Sequence, residues 1–202
     1  MNADADITFW FDVHSPWCYL ASQRIGDLAR RTGSRLEWRP LHLANLMTMI
    51  DGMQPLNQSP ARVAWYEQDL KDHAALYGLP LRPHPNYPLR PSRALRACVY
   101  AAEQGVAEPF VSAVMAGYWS QAMDISDFAA LQAVADTVGL GPRPIAEIAE
   151  DPDYKAAVEA NTRTAVDDGL FGVPGFVAGG KLFFGTDRMD LLERHVTGGS
   201  GG

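Results

Sequence analysis

The chain has 202 residues, 47% of them apolar and 20% charged, with a formal net charge of −7. That length suffices to bury a substantial core, and the composition is that of an ordinary globular protein. The acidic balance excludes nucleic acid as a natural partner, and no apolar run approaches the roughly 20 residues that span a bilayer.

The first residues, Met1 to Asp6, are small or acidic and carry no basic segment. No signal peptide is read there, so a cytoplasmic location is expected, with Cys18 and Cys98 kept reduced. Ile7 to Val13 (ITFWFDV) is apolar on both faces apart from Asp12, as a central strand requires. His14-Ser15-Pro16-Trp17 follows directly. Ser15 suits an N-cap and Pro16 the first helical position, where its missing N–H costs nothing. Trp17, Leu20, Ala21, Ile25 and Leu28 then recur at helical spacing until Gly33 ends the helix. Ser34 to Pro40 alternates Leu36 and Trp38 with charged residues and predicts a second strand.

From Pro60 to Asp168 the patterns are helical. Val63, Tyr66, Leu70, Ala74 and Tyr77 form one stripe, and Leu95, Cys98, Val99 and Ala102 a second, after the Pro-rich connector Leu81 to Ser92. Phe110, Val114 and Tyr118 form a third. Phe128 to Val138 is a fourth, capped by Ser126 and stopped by Gly139, and Tyr154, Val158, Asn161 and Ala165 lie on the last. Val173 to Ala178, a Gly-Gly turn and Lys181 to Phe184 predict a β-hairpin, and Thr186 to His195 a closing helix. The expectation is an α/β fold with a β-α-β and β-β-α core, residues 5–41 and 170–197, around an all-helical insertion domain, 42–169. Residues 198–202 read as a flexible Gly/Ser tail.

This order resembles the thioredoxin fold of the DsbA type. Three stretches narrow the resemblance: FWFDVHSPWCYLA (9–21), GLFGVPGFV (169–177) and FFGTDRMDLLERH (183–195) look like the 2-hydroxychromene-2-carboxylate isomerases and kappa-class glutathione transferases. The resemblance covers nearly the whole chain. It implies a cis bond before Pro174, facing the helix motif. Glutathione would be the cofactor, with an isomerase activity on a small aromatic carboxylate, and the protein would be a homodimer.

In the resembling enzymes the serine at position 15 donates a hydrogen bond to the glutathione sulfur. The positive end of a helix and one hydroxyl favour the thiolate of a thiol whose free pKa is about 8.5. The plain alternative is that Ser15 only caps its helix. The resemblance gives Val173 and Pro174 the cysteinyl part of the tripeptide. It gives Thr186, Asp187 and Arg188 the γ-glutamyl end, beside a capping role for Thr186. Aligned without gaps, Met53 stands where the family has a glutathione-contacting Asn, and Arg62 where it has a Lys that Arg replaces at a different reach. Gly175 replaces the family's Thr or Ile after the proline.

His14, Trp17, Cys18, Met53 and Asn161 are the candidate pocket residues. Asn161 lies on an apolar stripe and needs a partner, either a structural hydrogen bond or the site. Cys18 reads first as a small buried hydrophobe and Cys98 as core. His84, Tyr87 and Arg90 of the connector face an acidic aromatic substrate or simply form a surface loop. Histidines 14, 42, 73, 84 and 195 show no metal spacing. The alternatives are a monothiol oxidoreductase acting through Cys18, a kappa-type transferase, and a non-catalytic ligand-binding protein.

Overall fold

The computed structural model describes residues 6–52 and 59–198. Met53 and residues 199–202 of the tail therefore lie outside the described residues. Strand β1 (Ile7–Phe11) is followed by α1 (Pro16–Thr32), β2 (Leu36–Pro40) and α2 (Leu43–Met49). Then come α3 (Pro60–Leu76), α4 (Ser92–Glu103), α5 (Ala107–Gln121), α6 (Phe128–Val138), α7 (Ile145–Glu150) and α8 (Pro152–Asp167). Strands β3 (Gly175–Ala178) and β4 (Lys181–Phe184), a 3-10 turn (Thr186–Arg188) and α9 (Met189–Val196) complete the chain. This is the α/β, DsbA-type thioredoxin fold expected from the sequence.

The sheet runs β2-β1-β3-β4, with β1 parallel to β2 and antiparallel to β3. Ile7, Phe9, Trp10 and Phe11 are fully buried, which is why the central strand shows no alternation. Phe9 is the centre of one face: its ring lies 5.1 Å from both Trp38 and Phe176, and 5.2 Å from Phe11. Pairing of Phe11 with Pro40 and of Trp10 with Gly175 brings the end of β1 beside the start of β3. Whatever follows β1 thus shares one end of the sheet with whatever precedes β3.

The helical block is packed onto this sheet through one continuous hydrophobic core, which includes Phe9, Leu20, Cys98, Phe110, Ile148 and Phe176. Helix α4 contacts β2 as well as α5, α7 and α8, while α1 contacts α3, α5 and α9. Among the described residues no helix is long and apolar enough to cross a membrane.

Several local expectations are corrected. The first strand stops at Phe11 because Asp12 turns its carboxylate onto two backbone N–H groups and ends the ladder. The third strand starts at Gly175, after the proline, whose missing N–H cannot join a ladder. Helix α6 is capped by Asp127, which accepts from the Ala129 N–H, because Ser126 is held by Asp124 Oδ1 at 2.8 and 2.6 Å. Thr186 caps no helix: it opens the 3-10 turn, and its hydroxyl is turned to Met189 Sδ. Helices α2 and α7 are additions that the sequence reading did not contain.

Candidate active site

The site is built at the end of the sheet where β1 stops. Asp12 is only 1% exposed, and its carboxylate accepts from the His14 N–H at 2.9 Å and the Leu43 N–H at 2.8 Å. Burial pushes this carboxyl above the usual range, while those two N–H groups pull it back. The Ser15 N–H donates to the Asp12 carbonyl at 3.0 Å, and the Trp119 indole donates to the Val13 carbonyl at 3.0 Å. The segment from 12 to 15 is therefore clamped from three sides, and it presents the N-terminus of α1 in a fixed place.

Ser15 occupies the N-cap of α1 in extended backbone, and its Oγ accepts from the Cys18 N–H at 3.3 Å. A hydroxyl that accepts in this way keeps its own proton to donate. Cys18 is fully buried, and burial, set only partly against bonds from Asp12 and Ser15, drives its thiol well above the usual range. A thiol so held is not a nucleophile at neutral pH. Cys98 is buried and shifted in the same direction for the same first cause.

The Val173–Pro174 bond is cis, as expected from the resemblance, and a second cis bond precedes Pro88. The Pro174 carbonyl accepts from the Gly185 N–H at 2.9 Å, which brings the turn carrying Thr186, Asp187 and Arg188 alongside the proline. Gly185 has φ of 93°, and a Cβ there would stand 2.7 Å from Asp187 Oδ1, so this turn requires glycine. The N–H and C=O of Val173 make no hydrogen bond among the described residues. Thr186 is buried, and Arg24 Nη1 reaches its Oγ1 at 3.4 Å. Asp187 and Arg188 are half exposed and paired with each other at 2.9 Å. The space that a side chain at Gly175 would fill is taken by Leu170, whose Cδ2 lies 2.9 Å from the position of such a Cβ.

Aromatic rings pack on the residues that flank Ser15. His14 stacks on Tyr87 at 5.1 Å with 7° between the rings, and its buried Nε2 has no hydrogen-bond partner among the described residues. Trp17 meets Tyr66 of α3 edge-on at 5.9 Å. Arg62 is exposed one turn before Tyr66, on the side of α3 that approaches this end of α1. Asn161 stands elsewhere. Its Nδ2 donates to the Pro40 carbonyl at 3.0 Å and ties α8 to the end of β2, the structural hydrogen bond that its place on the stripe allowed.

A groove of about 1030 Å³ runs along β2 and the C-terminal end of α1, and it takes in Asn161 but neither Ser15 nor Pro174. Geometry and chemistry at the α1 N-terminus define the candidate site; groove volume does not. Ser15 is 5% exposed. Three residues here escaped the sequence reading. Asp12 carried a readable signal, as the one charge inside the apolar run 7–13. Tyr66 looked like an ordinary stripe residue. Arg24 looked like wet surface, yet its guanidinium lies 3.8 Å over the Tyr77 ring and has no ion-pair partner among the described residues.

Strand-then-helix geometry, a cis proline opposite the helix start and a helical insertion define a thioredoxin-fold protein, here with Ser-x-x-Cys in place of two cysteines. The model of the DsbA-like thioredoxin domain matches residues 6–197, and the chain belongs to that family. Among curated relatives, a 2-hydroxychromene-2-carboxylate isomerase of Sphingobium xenophagum is 31% identical over 191 residues, 94% of this chain and 97% of its own length. Glutathione S-transferase kappa 1 of Caenorhabditis elegans is 28% identical over 200 residues, covering 92% of this chain and 88% of its own. The solved structure of a 2-hydroxychromene-2-carboxylate isomerase superposes with a TM-score of 0.80 at 26% identity, covering 94% and 93% of the two chains.

Proposed function

We propose that this chain is a glutathione-dependent isomerase of the 2-hydroxychromene-2-carboxylate type. One observation carries the reading. The position from which a thioredoxin-fold helix presents its reactive sulfur holds the Ser15 hydroxyl, and the cysteine three residues on, Cys18, is buried with its thiol pushed up. The reactive thiol then comes from outside. The relatives named isomerase and glutathione transferase support glutathione as its source.

In this reading the glutathione thiolate sits at the positive end of α1 and receives the Ser15 proton as a hydrogen bond. The free N–H and C=O of Val173 pair with the cysteinyl residue as an added strand does. Asp187 takes the α-amino group. The start of the 3-10 turn, with Thr186, Arg188 and Arg24, receives the γ-glutamyl carboxylate, and Arg62 the glycyl carboxylate. The thiolate adds to a conjugated double bond of a ring-opened aromatic acid, the resulting single bond rotates, and elimination returns the same thiolate with the isomer. Electrons and protons balance, so no dithiol is needed. The enzyme acts in the cytosol as a homodimer. A monothiol oxidoreductase would need Cys18 to ionise, which its burial opposes.

The test is thermal unfolding with added glutathione. Binding to the folded state raises the midpoint as the free thiol concentration passes its dissociation constant. A midpoint unmoved at roughly 10 mM, beyond ordinary KM values, defeats the reading.

A further inference from the structure

Two tyrosines from outside the thioredoxin core pack against the residues that flank Ser15. Tyr66, on α3, rests on Trp17, two residues after Ser15. Tyr87, in the Pro-rich connector, stacks on His14, one residue before it, and its ring lies 5.7 Å from Trp119. The two residues nearest the serine that carry aromatic rings, His14 and Trp17, are thus each covered by a phenol brought from a separate element. The Trp17 indole is a donor only, so its contact with Tyr66 does not consume that hydroxyl's proton. The Tyr87 hydroxyl has no hydrogen-bond partner among the described residues. Burial raises both phenols above their usual range, and a negative charge on Tyr87 would raise Tyr66 further. Both therefore stay protonated at neutral pH and remain donors.

We propose that the Tyr66 and Tyr87 hydroxyls are a hydrogen-bond pair that receives the carbonyl oxygen of an α,β-unsaturated carbonyl substrate while a thiolate held at Ser15 attacks it. This inference rests on the functional reading above and deepens it by naming the groups that stabilise charge away from the sulfur. As the C–S bond forms, the π pair of the C=C bond moves onto the carbonyl oxygen and makes an enolate. Rotation follows about what is now a single bond. The enolate pair then returns, the C=C bond re-forms and the same thiolate leaves. Negative charge accumulates on one oxygen during this cycle, and fixed donors aimed at that oxygen lower the barrier. The oxygen lies several bonds from the attacked carbon. Donors from α3 and the connector, packed on the residues that flank Ser15, suit it better than any group on α1.

The experiment compares Tyr66→Phe, Tyr87→Phe and the double variant on 2-hydroxychromene-2-carboxylate at saturating glutathione, with the glutathione-induced thermal shift measured in parallel. Each Phe keeps its ring on Trp17 or His14, and an unchanged midpoint without ligand verifies the fold. The expected result is a kcat lower by about 10²-fold for each single variant, the scale of one lost donor to a developing oxyanion. The double variant falls further, and the glutathione shift stays at the wild-type value. Single variants within about twofold of wild-type kcat overturn the pair, as does a loss confined to substrate KM, which reports uniform binding. A wild-type protein inert on this substrate and unshifted by glutathione defeats the functional reading and the pair together. An active wild type with unaffected variants defeats the pair alone.

Discussion

Two helices in this molecule begin with the same dipeptide. Ser15-Pro16 opens α1 and Ser59-Pro60 opens α3, and each serine accepts from the N–H three residues on, at 3.3 and 3.4 Å. Locally the two caps are the same device. Around them everything differs. Ser59 is exposed, whereas Ser15 is 5% exposed, follows a buried strand, donates its N–H to the Asp12 carbonyl and lies at the sheet end that carries cis-Pro174. A Ser-Pro helix start is cheap and common; a helix N-terminus held in a fixed place beside unpaired backbone is what makes a site.

The strongest way to break this difference is to remove its support. Asp12→Ala strips the acceptor from two N–H groups, at a cost of roughly 1–3 kcal/mol for each donor left without a partner. Denaturant unfolding should show that loss; a midpoint close to wild type would mean that the loop from 12 to 15 is not braced as described. Smaller, and sharper as a comparison, is the pair Ser15→Ala and Ser59→Ala. Each loses a cap worth about 1 kcal/mol, so the two stabilities should fall alike while glutathione binding falls only for the first. Equal loss of binding from both would erase the distinction.

The smallest expected effect concerns pH. Burial lowers the pKa of His14, with Asp12 opposing and His42 adding to the shift. The folded state then binds fewer protons than the unfolded chain below the ordinary histidine value of about 6.5, so stability is lost as pH falls from there toward the depressed pKa. His14→Phe preserves the stack on Tyr87 and should flatten that acid limb of a stability-against-pH curve. An unchanged limb would assign it to other groups. Asp12, with its carboxyl pushed up by burial, works in the opposite sense.

What was legible in the sequence follows from the same contrast. The seven-residue run into Ser15-Pro16 and the Val-Pro before a Gly-Gly hairpin are local signals, and they yielded the core topology and the two segments that meet at one end of the sheet. Helix α2 (LANLMTM) is short and nearly all apolar, and α7 is a short segment fenced by Pro144 and Pro152. Neither shows a period, because tertiary packing rather than propensity holds helices of that length. Adjacent good caps, Ser126 and Asp127, are decided by which side chain is already engaged. Tyr66 and Arg24 were read as ordinary helix surface or stripe, since their neighbours Trp17, Tyr77 and Thr186 come from distant parts of the chain. Asp12 alone among the missed residues stood out in its own apolar run.

The account turns on a borrowed sulfur, and one assay addresses it directly: isomerisation of 2-hydroxychromene-2-carboxylate with and without glutathione, in wild type, Ser15→Ala and Cys18→Ala. Turnover should require glutathione, survive Cys18→Ala, and fall by about 10²-fold in Ser15→Ala, the scale of one lost donor to a stabilised anion. Turnover that proceeds without glutathione, or that vanishes with Cys18 while surviving the loss of Ser15, would contradict it.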